Sequence, residues 1–382
     1  LVRVDRRPDT RGDADHRCGD QERAGSHDEQ QPWGEREETH SARNVTGGAA
    51  PGDGRSSNRP SCTFAGMSSS RFPVRPFRFG VQLNAPTSAA QWRETARRIE
   101  SLGYATATMP DHFTDQFAPM PALQAILDAT ATLRAGALVF DNDYKHPAIL
   151  GKELATMDVL SDGRVEIGLG AGWMRTDYDQ LGLEYDRAGV RVDRFVEGLA
   201  VIRGVMGTGP FSFSGEHYEI SDYDGLPKPV QAPCPPVLIG GGGPRVLRSA
   251  AQEADIVGIN GTLSAGEFGH AAFATMTLDA VVDKVDIVAD AAGERTGDIE
   301  LNIRTFFNKV TDDRRAAVGR IARAVGIDEA MLETSPFALI GSHSGIVEDL
   351  LALRERFGFS YVIVGANEIE SFAPVVAQLA GH

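Results

Sequence analysis

The stretch HPAILGKELATMDVLSDGRVEIGLGAGW, residues 146–173, predicts a helix followed directly by a buried strand. Pro147 suits the first turn of a helix, where its missing N–H leaves no hydrogen bond unmade. Apolar residues then recur at helical spacing up to the Asp-Gly pair at 162–163. Residues 164–172 follow as an apolar run, which is typical of a strand buried on both faces. A helix leading into such a strand indicates a parallel sheet covered by helices.

Working outward from this stretch, the same alternation of strand and helix occupies the chain from Phe77 to Leu379. Eight strands, each followed by a helix, predict a single (β/α)8 TIM barrel of the α/β class, with insertions after strand four and strand seven. A doubly wound open sheet is the alternative, but it requires a phosphate loop after the first strand, and the turn NAPTS lacks one. The predicted strands lie at residues 77–83, 104–110, 134–140, 164–172, 237–241, 254–260, 299–307 and 361–365.

The alternation breaks between strand four and strand five. The run FSFSGEHYEI, residues 211–220, alternates and contains a turn signal, which predicts a hairpin. The prolines at residues 227–236 predict a stiff connection without regular structure. We therefore assign residues 67–382 to one barrel domain that carries a hairpin and a Pro-rich insertion at about 207–235.

The first 66 residues differ in composition from the rest of the chain. They are dense in Arg, Asp, Glu, Gln and Gly, have almost no Leu, Ile or Phe, and show no helical or strand period. Such a segment cannot bury enough apolar surface to offset its ordering entropy. Met67 opens a sequence of ordinary composition. Residues 1–66 are therefore predicted to be a disordered tail or mistranslated upstream sequence, the latter with Met67 as the biological start.

Composition excludes several classes of function. The 382-residue chain has a net charge of −15, whereas nucleic-acid-binding domains usually carry a basic face, so no nucleic-acid partner is predicted. No apolar run has the length of a membrane span, so no membrane partner is predicted. The three cysteines have no CxxC spacing, which favours a reducing, cytoplasmic setting without a disulfide framework.

Barrel enzymes place their active sites at the carboxyl ends of the strands, so residues there are the candidates for chemistry. Asp111 and His112 end the second strand, and imidazole titrates near neutrality, which makes His112 the candidate acid–base group. The alternative is that Asp111 begins a turn and His112 bonds a backbone carbonyl. Asp141, Asp143 and His146 follow strand three and could suggest a metal site. Carboxylates this close are usually solvated, and no metal is predicted.

The run VLIGGGGPRVL, residues 237–247, ends strand five in four glycines and begins a helix at Pro244. A GxGxxG motif from Gly240 would need glycine where Arg245 stands, and no Lys-Ser/Thr pair follows, so neither a dinucleotide fold nor a P-loop is indicated. Free amides at a helix start attract anions, so we predict a phosphate site here, with Arg245 and Arg248 nearby. A tight barrel turn without a ligand is the alternative.

These segments, taken in order, resemble one enzyme family, the luciferase-like monooxygenase superfamily, and in particular its branch that depends on the deazaflavin coenzyme F420. The resemblance covers residues 77–379 and implies the same (β/α)8 barrel. It is carried by FRFGVQL (77–83), DHF (111–113), the opening stretch (146–173), RVDRFVEGLAVIRGVM (191–206), FSFSGEHYEI (211–220), PKPVQ (227–231) and IGGGGPRVL (239–247).

The resemblance implies a flavin or deazaflavin lying across the strand carboxyl ends. Its phosphate would lie at the glycine run, and its ring over the ends of strands three and four, in front of a non-proline cis peptide at Ala137–Leu138. His112 would act as acid or base, and Asp111 would contact the cofactor. The implied cofactor contacts are Asp111, Ala137, Leu138, Trp173, Thr176, Gly241, Gly242, Gly243 and Pro244.

The sequence departs from this pattern at two positions. Gln116 stands where sugar-phosphate dehydrogenases of the branch carry a tryptophan, so that substrate is not predicted. Phe140 replaces a small polar residue that bonds the cofactor in those relatives. Cofactor contacts on strand three are therefore the least defined part of the implied site.

The predicted function is an F420-dependent oxidoreductase that transfers a hydride between the deazaflavin and a small organic substrate, with His112 moving the proton. The alternative is an FMN-dependent monooxygenase that uses O₂ and needs a separate flavin reductase as partner. A non-catalytic flavin-binding protein is the third reading, disfavoured because a carrier needs no acid–base group. A homodimer is a further expected assembly. The substrate is expected to be partly apolar, because of Phe113, Phe117, Met120 and Trp173.

Overall fold

Strands and helices alternate along the described chain, and the computed structural model describes residues 70–382. The predictions for residues 1–66 and for a start at Met67 lie outside the described residues. The strands are β1 (Arg78–Gln82), β2 (Thr106–Met109), β3 (Arg134–Ala137), β4 (Phe140–Asp141), β5 (Ile167–Gly170), β6 (Phe211–Ser214), β7 (Glu219–Tyr223), β8 (Val237–Gly241), β9 (Ile256–Ile259), β10 (Glu300–Arg304), β11 (Phe307–Val310), β12 (Ala338–Gly341) and β13 (Phe359–Gly365). The α-helices are α1 (Ala89–Ser101), α2 (Pro119–Ala129), α3 (Pro147–Leu160), α4 (Arg175–Leu181), α5 (Ala188–Met206), α6 (Pro244–Glu253), α7 (His270–Phe273), α8 (Leu278–Ala292), α9 (Arg314–Val325), α10 (Glu329–Thr334), α11 (His343–Phe357) and α12 (Ile369–Leu379).

Nine strands of the described part of the chain form one parallel sheet, in the order β3-β2-β1-β13-β10-β9-β8-β5-β4. β3 and β4 are the two halves of the predicted third strand, so the sheet has eight barrel positions. Its two edges meet where Ala135 pairs with Val165 and where Glu166 N–H donates to Ala135 O at 3.0 Å. This arrangement confirms the (β/α)8 TIM barrel, and the doubly wound open sheet is excluded.

Glycines allow β3 and β5 to approach each other at this seam. A Cβ on Gly136 would lie 2.1 Å from the backbone oxygen of Glu166, and a Cβ on Gly168 would lie 1.9 Å from the oxygen of Ala137. Backbone contact this close requires residues without a side chain. Part of the glycine content of the opening stretch therefore serves the closure of the barrel.

The third barrel strand is interrupted near the mouth. Ala137 still pairs with Met109 of β2, and Leu138 N–H donates to Met109 O at 2.7 Å. Beyond the break, the third barrel strand continues as β4, which pairs with β5 on its other side. The non-proline cis peptide joins Leu138 to Val139, so the prediction at Ala137–Leu138 was wrong by one residue. The hydrogen bond from Leu138 to β2 keeps the regular strand intact up to that residue.

Two insertions interrupt the alternation. Between β5 and β8, α4 and α5 precede an antiparallel hairpin of β6 and β7, in which Phe211 pairs with Tyr223. Between β10 and β13, β11 pairs in parallel with β12, Phe307 opposite Ala338. The sequence predicts only helical pieces for residues 313–357, and this was wrong for β12. Its four buried residues form a run too short for periodicity to separate a strand from a helix.

Charged side chains close the amino-terminal end of the barrel. Arg78 Nη1 donates to Glu166 Oε1 at 2.5 Å, and Arg78 Nη2 donates to Glu300 Oε2 at 2.7 Å. Arg134 Nε also donates to Glu166 Oε1, at 2.9 Å. The Arg78 guanidinium carbon lies 3.6 Å from the ring centroid of Tyr361. We call these five residues the floor network; the candidate active site lies at the opposite end of the barrel.

Candidate active site

The carboxyl ends of β2 and β5 bring a histidine to an aspartate. His112 follows β2, and Asp177 lies in α4, the helix after β5. His112 Nδ1 lies 2.8 Å from Asp177 Oδ2. The His112 ring meets Trp173 edge-on, with ring centroids 5.3 Å apart. Because 18% of the His112 side chain remains exposed, the imidazole is both anchored and accessible.

Asp177 is held by further donors. Tyr144 OH donates to Asp177 Oδ2 at 3.0 Å, and the backbone N–H of Phe113 donates to Oδ1 at 3.4 Å. Burial alone would raise the pKa of Asp177, but the hydrogen bond and the charge of His112, with the hydrogen bonds from Tyr144 and Phe113, outweigh burial and lower that pKa. When His112 is in its neutral form, an ionised Asp177 holds the imidazole proton on Nδ1. His112 Nε2 is then left as the proton acceptor.

Asp111 has different partners from its neighbour His112. Asp111 Oδ2 accepts the backbone N–H of Asp141 at 3.2 Å, which ties the end of β2 to β4. Burial raises the pKa of Asp111 to about 6, against the opposing effects of the Asp141 N–H and of the charges on His112 and Lys145. The two neighbouring side chains therefore bond to different elements, Asp111 to β4 and His112 to α4.

A second group of carboxylates adjoins Asp111. Tyr178 OH lies 3.2 Å from both carboxylate oxygens of Asp141 and 2.9 Å from Asp143 Oδ2. Arg194 donates to both oxygens of Asp143, at 2.7 and 2.8 Å. Burial raises the pKa of Asp141 to about 7, and the like charges of Asp143 and Asp111 add to the rise. The region beside Asp111 therefore holds a carboxyl that titrates near neutral pH.

Asp141→Asn is expected to stabilise the folded chain at neutral and alkaline pH. The pKa of Asp141 is about 7 in the folded state, whereas an aspartate in an unfolded chain titrates near about 3.9. Below about pH 4 Asp141 is protonated in both states, so its raised pKa does not affect the free energy of unfolding. Between about pH 4 and pH 7 the folded state loses stability progressively, and above about pH 7 the loss is constant. At about 1.4 kcal/mol per pKa unit, the variant should gain up to about 4 kcal/mol at pH 8.

Thermal unfolding of wild type and Asp141→Asn at a series of pH values measures this effect. The difference in Tm should vanish near pH 4 and reach its maximum above pH 7. Asp115→Asn, at an exposed position, serves as the matched control and should change little at any pH. A gain of equal size at every pH would contradict the proposed titration of Asp141.

The glycine run at the end of β8 forms a turn into α6 that is enclosed on one side and open on the other. A Cβ on Gly242 would lie 2.3 Å from Gly261 O, and Gly242 O accepts the Thr262 hydroxyl at 3.0 Å. A Cβ on Gly243 would have no atom within 4 Å. The first amides of α6 have no partner within the helix. An anion can therefore reach the helix start from the open side of Gly243.

The side chains of three residues singled out from the sequence form no hydrogen bond with the His112–Asp177 pair or with the glycine turn. Thr176 is exposed in the first turn of α4. Arg245 Nη1 donates to Gly189 O at 3.1 Å and Arg245 Nη2 pairs with Asp193, so its charge is shared with α5. His146 accepts a backbone N–H through Nδ1 and caps α3, away from any shared ligand set. Among the described residues, no group of His, Cys, Asp and Glu could hold a metal ion.

The remaining predicted residues line the mouth. Ala137 is buried and Leu138 is half-buried where the third strand breaks. Leu138 O accepts Gln82 Nε2 at 3.2 Å. A Cβ on Gly241 would lie 2.5 Å from Val246, so this glycine is needed for packing. Pro244 occupies the first position of α6.

Sequence reasoning missed the partners of the named residues. Asp177 and Tyr178 were not singled out, although an acidic and an aromatic residue stand one helical turn after Trp173. Tyr144 and Arg194 were also missed. Each of these side chains meets its partner through contacts across 33 or more residues of the chain. A prediction from local pattern has no signal for such contacts.

Known proteins with similar sequences include FMNH(2)-dependent and F420-dependent enzymes. The model of the luciferase-like monooxygenase family matches residues 73–333. The FMNH(2)-dependent dimethylsulfone monooxygenase of Pseudomonas putida is 27% identical over 238 residues, which are 60% of this chain and 61% of that protein. The F420-dependent glucose-6-phosphate dehydrogenase of Amycolatopsis mediterranei is 30% identical over 173 residues, 42% of this chain and 50% of that protein. The matches thus span only part of these relatives' lengths.

A solved structure supports the fold. The coenzyme F420-dependent tetrahydromethanopterin reductase from Methanopyrus kandleri has a TM-score of 0.66 to this chain at 20% sequence identity. The match covers 80% of this chain and 99% of that one. At this identity the likeness bears on the barrel and not on the chemistry.

The barrel, its mouth and these relatives define an enzyme of the (β/α)8 class. The chain belongs to the luciferase-like monooxygenase family. The predictions of this family and of an enzyme are confirmed, and the relatives support a flavin-type cofactor. No helix among the described residues is long and apolar enough to cross a membrane.

Proposed function

We propose that this enzyme is an F420-dependent oxidoreductase that transfers a hydride between the deazaflavin and a small organic substrate. The observation that carries the proposal is the His112–Asp177 pair at the barrel mouth. Hydride transfer to or from a carbonyl requires a proton donor or acceptor beside the reacting atoms, and an anchored, accessible imidazole provides one. The similarity to an F420-dependent glucose-6-phosphate dehydrogenase supports the same cofactor.

The glycine turn fits the phosphate that such a cofactor carries. Gly241 and Gly242 leave no room for a side chain, because a Cβ there would meet Val246 or the Gly261 oxygen, so the turn can form only with glycine at these positions. The open side of Gly243 and the free amides at the start of α6 would hold the phosphate by hydrogen bonds and by the helix dipole. The chemistry that a deazaflavin supplies when bound is hydride transfer at C5 of its ring.

The chain's own residues would supply the proton transfer. His112 Nε2 takes or gives the proton, while Asp177 holds the Nδ1–H and offsets the positive charge that forms on the imidazole. Trp173, which meets the ring edge-on, limits rotation of His112. Asp111 keeps β2 and β4 together beside the site through its bond to Asp141 N–H. This division of roles makes His112 the catalytic residue and Asp177 a positioning residue.

An FMN-dependent monooxygenase is the second candidate, favoured by the identity to the Pseudomonas putida enzyme. It would use O₂ and would need a separate flavin reductase as partner. The glycine turn serves the phosphate of either cofactor, so it does not separate the two. A non-catalytic flavin-binding role is disfavoured by the anchored His112. The other proposed partners are a partly apolar small substrate and a second copy of the chain, in a cytoplasmic setting.

Titration of the purified chain with F420 and with FMN, each oxidised and reduced, tests the proposal. F420 is expected to bind at least about tenfold more tightly than FMN, a difference of about 1.4 kcal/mol. Tight binding of FMN alone would overturn the F420 proposal and favour the monooxygenase. Binding of neither cofactor would overturn both candidates.

Gly243→Asp is expected to raise the Kd of the bound cofactor about tenfold or more, because it places a carboxylate where the phosphate would lie. Gly243 has a φ of −84°, which any residue can adopt, and its Cβ direction is open, so the side chain fits without strain. Gly243→Ser is the matched neutral control and should change the Kd by less than about threefold. Equal affinity in the two variants would contradict a phosphate at this turn.

A further inference from the structure

Arg304 presents a positive charge at the barrel mouth without a carboxylate partner among the described residues. It is the last residue of β10. Arg304 Nε donates to Gln82 Oε1 at 2.8 Å, and Nη1 donates to Thr305 O. The guanidinium carbon lies 4.5 Å from the ring centroid of Phe306. In the described part of the chain, Nη2 has no hydrogen-bond acceptor.

Two other arginines of the barrel are paired with carboxylates. Arg78 bridges Glu166 and Glu300 in the floor network, and Arg194 is bound by Asp143. Burial lowers the pKa of Arg304 to about 10, with no carboxylate nearby to raise it. A half-buried charge without an opposite charge beside it is costly, so Arg304 is suited to a partner that arrives from outside the chain.

The contacts of Arg304 hold it in position without neutralising it. Gln82 Nε2 donates to Leu138 O at 3.2 Å, so the Gln82 amide oxygen is directed to Arg304. The first, third and seventh barrel strands supply these three residues, and alternate strands of a barrel contribute to one interior layer. The guanidinium is therefore fixed in a layer at the mouth, stacked on Phe306, with Nη2 left for a ligand.

We propose that Arg304 binds an anionic, carboxylate-type group of a ligand in the barrel mouth. A guanidinium recognises a planar anion through two parallel hydrogen bonds, a geometry that its rigid fork provides in advance. This inference rests on the proposed function, because it states that the substrate of the oxidoreductase carries an anionic group. A deprotonated ring of the reduced cofactor offers the same planar, delocalised charge, and the experiment separates the two sources.

The first measurement compares benzoate with benzamide, its neutral isostere, by ligand-observed NMR on the cofactor-free chain. Benzoate is expected to bind about ten- to a hundredfold more tightly, since a hydrogen bond to a charged group has this effect. Arg304→Met should remove the difference. Gln82→Glu, which places a carboxylate beside the guanidinium, should remove it as well while leaving Arg304 in place. Arg320→Met, at an exposed position of α9, is the control and should retain it.

The second measurement titrates Arg304→Met and wild type with oxidised and reduced cofactor. If Arg304→Met loses the preference for benzoate over benzamide but binds both forms of the cofactor as tightly as wild type does, the anionic group belongs to the substrate. A selective weakening of reduced-cofactor binding by about tenfold or more assigns it to the cofactor ring. The proposal is overturned if benzoate and benzamide bind wild type equally and Arg304→Met leaves both cofactor affinities unchanged. Because the benzoate measurement uses no cofactor, a failed F420 titration would leave its result standing.

Discussion

Asp177→Asn is expected to slow the chemical step by about 10²- to 10⁴-fold, while cofactor affinity stays nearly constant. Asp177 accepts the Nδ1–H of His112 at 2.8 Å and, being ionised, offsets the charge that forms when Nε2 takes a proton. An asparagine amide can present its NH₂ to Nδ1 instead. His112 would then carry its proton on Nε2 and could not accept another there.

Single-turnover kinetics, followed by the absorbance of the cofactor, measure this loss directly, with a substrate identified by screening. We expect kcat to fall and KM to change much less. The Asp177 side chain is only 2% exposed and acts on the substrate through His112. Asp179→Asn is the matched control. It lies in the same helix and pairs with Arg175 at the surface, so its effect should be within about twofold.

The position of the His112 proton provides a readout that does not depend on turnover. Nitrogen-15 NMR of the imidazole distinguishes the two neutral tautomers. Wild type and Asp179→Asn should show the proton on Nδ1, whereas Asp177→Asn should shift it towards Nε2. If Asp177→Asn retains both the wild-type tautomer and the wild-type rate, Asp177 is not a positioning residue.

The barrel could be predicted from the sequence because its information is local. Most strands of the closed sheet are short, largely apolar runs, and α5 spans Ala188–Met206, where apolar residues recur at helical spacing. The failures have the same origin. β12 is too short to show a period, and the break after Leu138 depends on which neighbouring strand receives each hydrogen bond.

The site was predictable only where a general rule about barrels applies. His112, Asp111 and the glycine run stand at strand ends, where barrel enzymes carry their chemistry. Their partners do not follow from that rule, because Asp177 is 65 residues from His112 along the chain. Arg304 lies within the predicted strand at 299–307 and ends the observed β10, and the absence of a carboxylate beside it is a property of the folded barrel.

Glu166→Gln is expected to destabilise the barrel by about 3–5 kcal/mol. Glu166 is buried and accepts hydrogen bonds from both Arg78 and Arg134 through one carboxylate oxygen. Burial acts to lower the pKa of Arg78, but the carboxylates of Glu166 and Glu300 outweigh it and raise that pKa. A neutral amide can still accept hydrogen bonds from both arginines through its oxygen, but it no longer offsets their charge. Arg78 and Arg134 would then remain half-buried with less opposing charge.

Denaturant unfolding measures the loss, with Glu94→Gln as the matched control. Glu94 forms a surface pair with Arg97 on α1, so its replacement should cost less than about 0.5 kcal/mol. The two variants make the same chemical change, and only burial separates them. A loss below about 1 kcal/mol for Glu166→Gln would show that water or Glu300 compensates Arg78 fully.

The size of this loss does not mean that the floor network adds the same amount of stability to the barrel. Taking Arg78 and Glu166 out of water is costly, and their attraction offsets that cost only while both charges are present. The triple variant Arg78→Met/Glu166→Met/Glu300→Gln removes Arg78 together with both of its carboxylate partners and should recover part of the loss seen in Glu166→Gln. Arg134 then keeps Gln231 Oε1 as an acceptor at 2.9 Å, so its guanidinium retains a partner. If the triple variant is less stable than Glu166→Gln, the ion pairs themselves stabilise the barrel, and the desolvation argument fails for this site.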